Sequence, residues 1–212
     1  MRQLELPLGL DEPTDFFVTD CNYLAYTILF SVDDTLLKRF LLIGEASSGK
    51  TILAKKWVKN SGSYYDCRWP VDISITNNKQ RLALDNVELV EELELMGIVN
   101  RCMNNNIGLL MISRQKFKIK LPDLASRIDS SHLLKIECPD KQLVFCIVQD
   151  FCFNHGLKIH YKALDILENL EFQTFLEISN FARNLTNLTK SKNKKTVNIT
   201  LMKAAYDLGI RT

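Results

Sequence analysis

Eight consecutive residues, Gly44-Glu45-Ala46-Ser47-Ser48-Gly49-Lys50-Thr51, have the types and spacing of a phosphate cradle. They fit G-x-x-x-x-G-K-[ST]. Glycine at each end lets the backbone curl until successive N–H groups point inward at an anion. A helix beginning at Lys50 would aim its N-terminus at the same charge. Lys50 is placed to reach the β- and γ-phosphates of a nucleotide, and the Thr51 hydroxyl to ligate Mg²⁺.

Such a loop needs an acidic partner at the end of a second strand. Leu82-Ala83-Leu84-Asp85 supplies one, with Asp85 expected opposite Thr51 on the water shell of the Mg²⁺. The next position often carries a second carboxylate that polarises the attacking water. Here it is Asn86, and an amide orients water but accepts a proton poorly. Asn86 is therefore expected to face the water while supporting at most weak hydrolysis. Glu88 lies nearby at a spacing that does not make it a simple substitute.

The elements that would position these groups read as an α/β fold. Phe40-Leu41-Leu42-Ile43 is a short apolar run that empties into Gly44, as a buried strand does. Ile52–Val58 reads as a helix, Arg81–Leu84 as a second strand, Glu88–Asn104 as a helix, Ile107–Ile112 as a third strand and Leu133–Ile136 as a fourth. Ser61–Tyr65 reads as a turn leading into a strand. Strands alternating with helices imply a parallel sheet flanked by helices. After Pro139 the pattern changes. Lys141–Asn154, Tyr161–Leu170, Thr174–Leu188 and Ile199–Leu208 are helix-like, and no strand is expected between them.

Totals narrow the classes. The 212 residues are 46% hydrophobic and carry 27 basic against 25 acidic side chains, a net +2, so bulk charge gives no case for coating nucleic acid. Lys190, Lys192, Lys194 and Lys195 form one basic run. It reads as a solvated loop, with nonspecific contact to DNA phosphates as the alternative. Sequence-specific DNA reading is not expected. The six cysteines include no C-x-x-C pair and read as reduced thiols. Apolar runs fall far short of the roughly 20 residues that span a bilayer. The N-terminus lacks a signal-peptide core, so a cytoplasmic location away from membranes is expected.

The phosphate loop, the strand Leu82–Asp85 with Asn86, and the run Leu121-Pro122-Asp123-Leu124-Ala125-Ser126-Arg127-Ile128 together resemble the AAA+ core of the bacterial replication initiator DnaA. They are more similar still to its short regulatory relatives, the Hda family. The resemblance takes in Phe16-Phe17-Val18 and the helical segments after 138. It implies an AAA+ P-loop core over 13–138 and a small all-α lid over 139–212. ADP or ATP with Mg²⁺ would be the ligand, held by Gly44, Glu45, Ala46, Ser47, Ser48, Gly49, Lys50 and Thr51. Ser113 would act as a polar sensor of the γ-phosphate. Arg127 would enter a neighbour's nucleotide site as a finger in trans, the plain alternative being an ion pair with Asp129. The lid position where such proteins offer an arginine to the nucleotide is Gln173 here, and Arg183 is the nearest substitute on that segment. Residues 1–12 read as an extended arm. Gln3-Leu4-Glu5-Leu6-Pro7-Leu8 is similar to the peptide by which replication proteins dock on the sliding clamp. Gln3 would bond at a pocket rim, Leu4, Leu6 and Leu8 would anchor, and Pro7 would reduce the entropy lost on ordering. A strand packed on its own core is the alternative. The implied function is an adaptor that negatively regulates replication initiation, with the DNA polymerase sliding clamp and initiator DnaA as partners and a homodimer possible in principle. A self-assembling AAA+ ATPase such as a helicase loader is the other reading.

Overall fold

The computed structural model describes residues 16–31, 39–60, 62–77 and 80–210. The segment Gln3–Leu8 lies outside the described residues. Five parallel strands form one sheet: β1 (Arg39–Ile43), β2 (Gly62–Asp66), β3 (Arg81–Asp85), β4 (Gly108–Ser113) and β5 (His132–Lys135), in the order β2-β3-β4-β1-β5. The helices between them are α1 (Tyr23–Ser31), α2 (Lys50–Val58), α3 (Glu92–Asn104) and α4 (Pro122–Asp129). This is the α/β architecture with a sheet flanked by helices that the alternating pattern implies.

Period-2 alternation sorts the strand residues onto two faces. Phe40, Leu42, Ala83, Leu110 and Ile112 face α1 and α2, packing on Leu53, Ala54 and Trp57. Leu41, Leu82, Leu84, Leu109 and Met111 face α3 and α4, packing on Leu95, Ile98, Val99 and Leu124. Because both faces are covered, the strands read as continuous apolar runs. Each leucine so enclosed contributes roughly 1.5–3 kcal/mol.

One boundary differs from the sequence reading. The helix expected from Glu88 begins only at Glu92. Asn86 adopts a left-handed conformation (φ 57°, ψ 43°), a single 3₁₀ turn follows over Val87–Leu89, and Val90 returns to extended backbone. Apolar spacing runs through this stretch unbroken, so periodicity alone cannot show the interruption.

Beyond the sheet lie α5 (Lys141–Asn154), α6 (Tyr161–Glu168), α7 (Phe175–Ser191) and α8 (Ile199–Ile210), around a core of their own that includes Val148, Phe181, Leu185 and Met202. The expectation of helices alone needs correction. Two short strands, β6 (Lys158–Ile159) and β7 (Thr196–Val197), pair in parallel, with Ile159 and Val197 turned into this core. Two residues per strand are too few to leave a period in sequence.

Asp140 ties the helices to the core. Its carboxylate caps α5, accepting from Leu143 N at 2.8 Å, and also accepts from Cys21 N at 3.0 Å. Partial burial opposes the charge. Hydrogen bonds from the Thr19 side chain, Leu143 N and Cys21 N outweigh it and hold the carboxyl below its usual range. A carboxyl depressed in the folded state contributes stability above the unfolded value of 3.8 and loses it as pH falls through the lower folded value. Asp140→Ala should therefore cost about 1 kcal/mol in urea denaturation near neutrality. The gap from the parent should shrink once pH drops below 3.8.

Candidate functional site

The C-terminal ends of the strands lie side by side. Asp66 is in register with Asp85, Asp85 with Ile112, and Ile43 with both Ser113 and Lys135. The chain leaves β1 between β4 and β5 and crosses to β2 at the far edge, and the crevice at such a switch point is where open α/β sheets bind ligands. Gly44 follows β1 directly into it.

The loop has the geometry its glycines suggest. A side chain at Gly44 would sit 2.9 Å from Ser48 Oγ and 3.2 Å from Ile136 Cβ, and Gly49 has φ +86° with the Phe16 ring 3.1 Å from where a Cβ would stand. Ser47 is also left-handed, at φ 63°. Within the loop Ser48 N donates back to Glu45 O at 3.3 Å, and α2 starts at Lys50 with no side chain capping its first turn. Glu45, Ala46 and Ser47 are exposed, while Ser48 and Lys50 are buried.

Lys50 is folded onto the loop itself. Its ammonium donates to Gly44 O at 2.7 Å, to Glu45 O at 2.5 Å and to Ser48 Oγ at 3.3 Å. Burial lowers its pKa, with Asp85, Glu88 and Glu45 opposing the shift and Arg114 adding to it. Arg114 thus brings a second positive charge toward the loop, a contribution the sequence reading did not assign.

Asp85 gathers three hydrogen bonds. Thr51 Oγ1 donates to its Oδ2 at 2.6 Å, the Tyr64 hydroxyl to the same oxygen at 2.9 Å, and Asn86 N to Oδ1 at 2.9 Å. Thr51 and Asp85, predicted to flank Mg²⁺, are in direct contact. Their oxygens and the uncapped amides of α2 match in chemical type what a metal–nucleotide pair requires. Tyr64 was not foreseen. It lies on β2 in register with Ala83, whose small side chain leaves its ring room beside α2, and Lys55 sits 5.4 Å from the ring centroid. Burial and the neighbouring Asp85 raise its pKa, so it stays a donor. A strand ending in Tyr-Tyr-Asp beside one ending in Asp was the available signal.

The remaining residues are placed as follows. The Asn86 amide donates to Asp66 Oδ1 at 3.0 Å, and Arg68 holds the same carboxylate. Ser113 is buried at the end of β4, its hydroxyl donating to Gln115 O at 2.7 Å. Glu88 Oε2 is buried without a hydrogen-bond partner. Gln173 is exposed before α7, whose N-terminus is closed by its own residues: Thr174 Oγ1 accepts from Glu177 N, and Glu177 Oε2 accepts from Gln173 N. Arg183 is exposed, about 12 Å along the helix axis from Phe175. Lys116, Lys118 and Lys120 lie in an exposed loop, with Phe117 and Ile119 turned to the core.

Arg127 lies on α4, well away from Lys50 in sequence and on the opposite face of the sheet from α2. Leu124 and Ile128 bury that helix. The guanidinium makes no ion pair with Asp129 or with any other carboxylate among the described residues. Nε is buried without a partner, and Nη1 has only Met103 Sδ at 3.7 Å.

A parallel sheet in this order, a glycine-rich loop after β1, an acidic residue closing β3 and a helical unit beyond the sheet make up an AAA+ P-loop α/β fold. Solved structures agree. The chain is similar to domain III from the Thermotoga maritima replication initiation protein DnaA, with TM-score 0.74 and 15% identity over 93% of this chain and 95% of that one. It is similar to AMPPCP-bound DnaA from Aquifex aeolicus (TM-score 0.61, 21% identity, 84% of this chain, 64% of that one). The Thermotoga maritima RuvB Holliday junction branch migration motor also matches (TM-score 0.64, 11% identity, 88% and 67%). No protein-family model matches the sequence, and no curated protein matches it. No helix among the described residues is long and apolar enough to cross a membrane.

Proposed function

We propose that this chain is an AAA+ adaptor that negatively regulates replication initiation. It binds ADP or ATP in its own phosphate loop, docks on the sliding clamp through Gln3–Leu8, and presents Arg127 to the ATP site of the initiator. The observation that carries this reading is the unpaired guanidinium of Arg127, fixed on a helix that Leu124 and Ile128 anchor. An arginine with no carboxylate partner among the described residues is available to a charge outside the chain. The likeness to DnaA domain III supports a partner of the same architecture, since AAA+ folds complete one another's sites at their faces.

The chain's residues divide the work. The loop amides and Lys50 hold the phosphates, Thr51 and Asp85 hold the Mg²⁺ that neutralises phosphate charge when bound, and Tyr64 orients Asp85. Asn86 supplies an amide where proton abstraction needs a base, which suits retention of nucleotide better than turnover. The closed N-terminus of α7 offers no cation to the phosphates, so the lid is weakly coupled to nucleotide state.

Capture on immobilised clamp tests the docking step, comparing the intact chain with a Gln3→Ala/Leu8→Ala variant. The variant should lose capture; equal retention of both removes the clamp from the proposal. One observation favours a self-assembling ATPase instead: the buried, unpaired Glu88 Oε2, close enough to influence Lys50, is a carboxylate able to accept a proton. Turnover by the purified chain alone separates the readings, an adaptor being nearly inert without its partner.

A further inference from the structure

The lid has two ends of different character. At one, the Asp140 cap of α5 bonds to Cys21, and Phe175, the first residue of α7, packs into the core cluster beside α2. At the other, α5 runs through β6 into α6, and α7 runs through β7 into α8. Because β6 and β7 are paired, with Lys158 N donating to Lys195 O at 2.9 Å, the two connections form one surface. Helix α5 has 14 residues, so that surface stands about 20 Å from the end that meets the core.

Charge is segregated there. Residues 153–162 and 188–200 contain Lys158, Lys162, Lys190, Lys192, Lys194 and Lys195 and no aspartate or glutamate. Taking these six from the net +2 leaves the rest of the chain at −4. All six are exposed, and none makes an ion pair among the described residues. Lys190 and Lys192 complement the C-terminal dipole of α7. That accounts for two of them. Lys162 sits in the first turn of α6, where the dipole repels a cation, and among the described residues it has the Tyr161 ring, 5.8 Å away, but no ion pair.

Exposed rings share this end. Phe153 is 81% exposed in the last turn of α5, and Tyr161 is 64% exposed at the start of α6 with His160 4.6 Å away, centroid to centroid. The Lys162 ammonium lies 5.8 Å from the Tyr161 ring centroid, so that ring already carries a cation beside it, while Phe153 is the more open of the two to a flat partner. Lysines that track a phosphate backbone beside rings that accept bases form the combination by which proteins hold a single strand without reading its sequence.

We propose that this basic end of the lid is a binding site for single-stranded nucleic acid, engaged through its phosphates by the lysines and through unstacked bases by Tyr161 and Phe153. The site is remote from the phosphate loop and depends on neither the clamp peptide nor Arg127.

The test uses the full chain and a labelled oligothymidine of roughly 16 nucleotides, followed by anisotropy across a salt series. Affinity should fall linearly on a log–log plot. Replacing Lys158, Lys192, Lys194 and Lys195 by glutamine should weaken binding at least tenfold and flatten the slope by about 2–3. Tyr161→Ala should weaken it roughly tenfold with the slope unchanged, a split that charge loss does not produce. Both variants alter exposed side chains, so melting temperatures matching the parent confirm that the fold is intact. An unchanged slope in the four-lysine variant overturns the proposal. So does tighter binding to a duplex together with indifference to Tyr161→Ala, or retention on phosphatidylserine vesicles without binding to the oligonucleotide.

Discussion

Replacing Arg127 by alanine should reduce the stimulation of ATP hydrolysis in an ATP-loaded initiator by roughly 10³–10⁵-fold, the range that arginine fingers supply to phosphoryl transfer. A guanidinium brought to the transferring group stabilises charge that develops in the transition state, so its loss appears in rate rather than in partner binding. The chain's own affinity for ADP should not change, because Arg127 lies across the sheet from Lys50 and shares no partner with it. Nor should the fold suffer: α4 is anchored by Leu124 and Ile128, and among the described residues the guanidinium's only polar contact is the weak one to Met103 Sδ. Removing a buried Nε that lacks a partner costs nothing in hydrogen bonding. Arg127→Lys should rescue little, since an ammonium lacks the planar fork. The measurement is phosphate release from the initiator with clamp-loaded DNA and the adaptor present. A variant as active as the parent would assign the stimulation to another residue.

The second large effect is expected at Lys50. Lys50→Ala should lower ADP affinity at least a hundredfold, on the basis of two lost charge-assisted hydrogen bonds of about 1.5–3 kcal/mol each. The substitution also leaves the Gly44 and Glu45 carbonyls without the donor that now serves them. A companion prediction follows from its pKa. Burial favours the neutral amine in the free protein, holding the pKa below the usual 10.5. A bound polyanion favours the ammonium and must raise it again. Nucleotide binding at alkaline pH should therefore take up protons, seen as a dependence of calorimetric enthalpy on buffer ionisation heat. Lys50→Ala should abolish that dependence, which separates loss of the cation from general damage to the loop.

These two residues differ in how far the sequence reveals them. Lys50 is legible because everything it needs is local: a buried strand before it, glycines that permit positive φ, and a helix after it. Arg127 is legible as part of a resemblance. The sequence leaves open whether it stands free or pairs with Asp129; on α4 it has no carboxylate partner among the described residues. Glu88 illustrates the same limit. Its spacing from Asp85 looked wrong, and only the left-handed Asn86 with the 3₁₀ turn after it brings the carboxylate into a buried position within electrostatic reach of Lys50.

By itself the sequence determined what depends on neighbours along the chain. That covers the phosphate loop, the apolar strands and their two-sided burial, Asp85 at a strand end, and the change to helices after Pro139. Backbone propensity and side-chain period act over a few residues, and both are written locally. Tertiary structure alone decided what depends on strand order and helix ends. It set Tyr64 and Asp66 beside Asp85 and placed Arg127 against Met103 with no carboxylate partner among the described residues. It also joined Lys158 to Lys195 in one ribbon. The physical reason is that these contacts span tens of residues and arise from register and from the reach of helices, neither of which leaves a period that a one-dimensional pattern can carry.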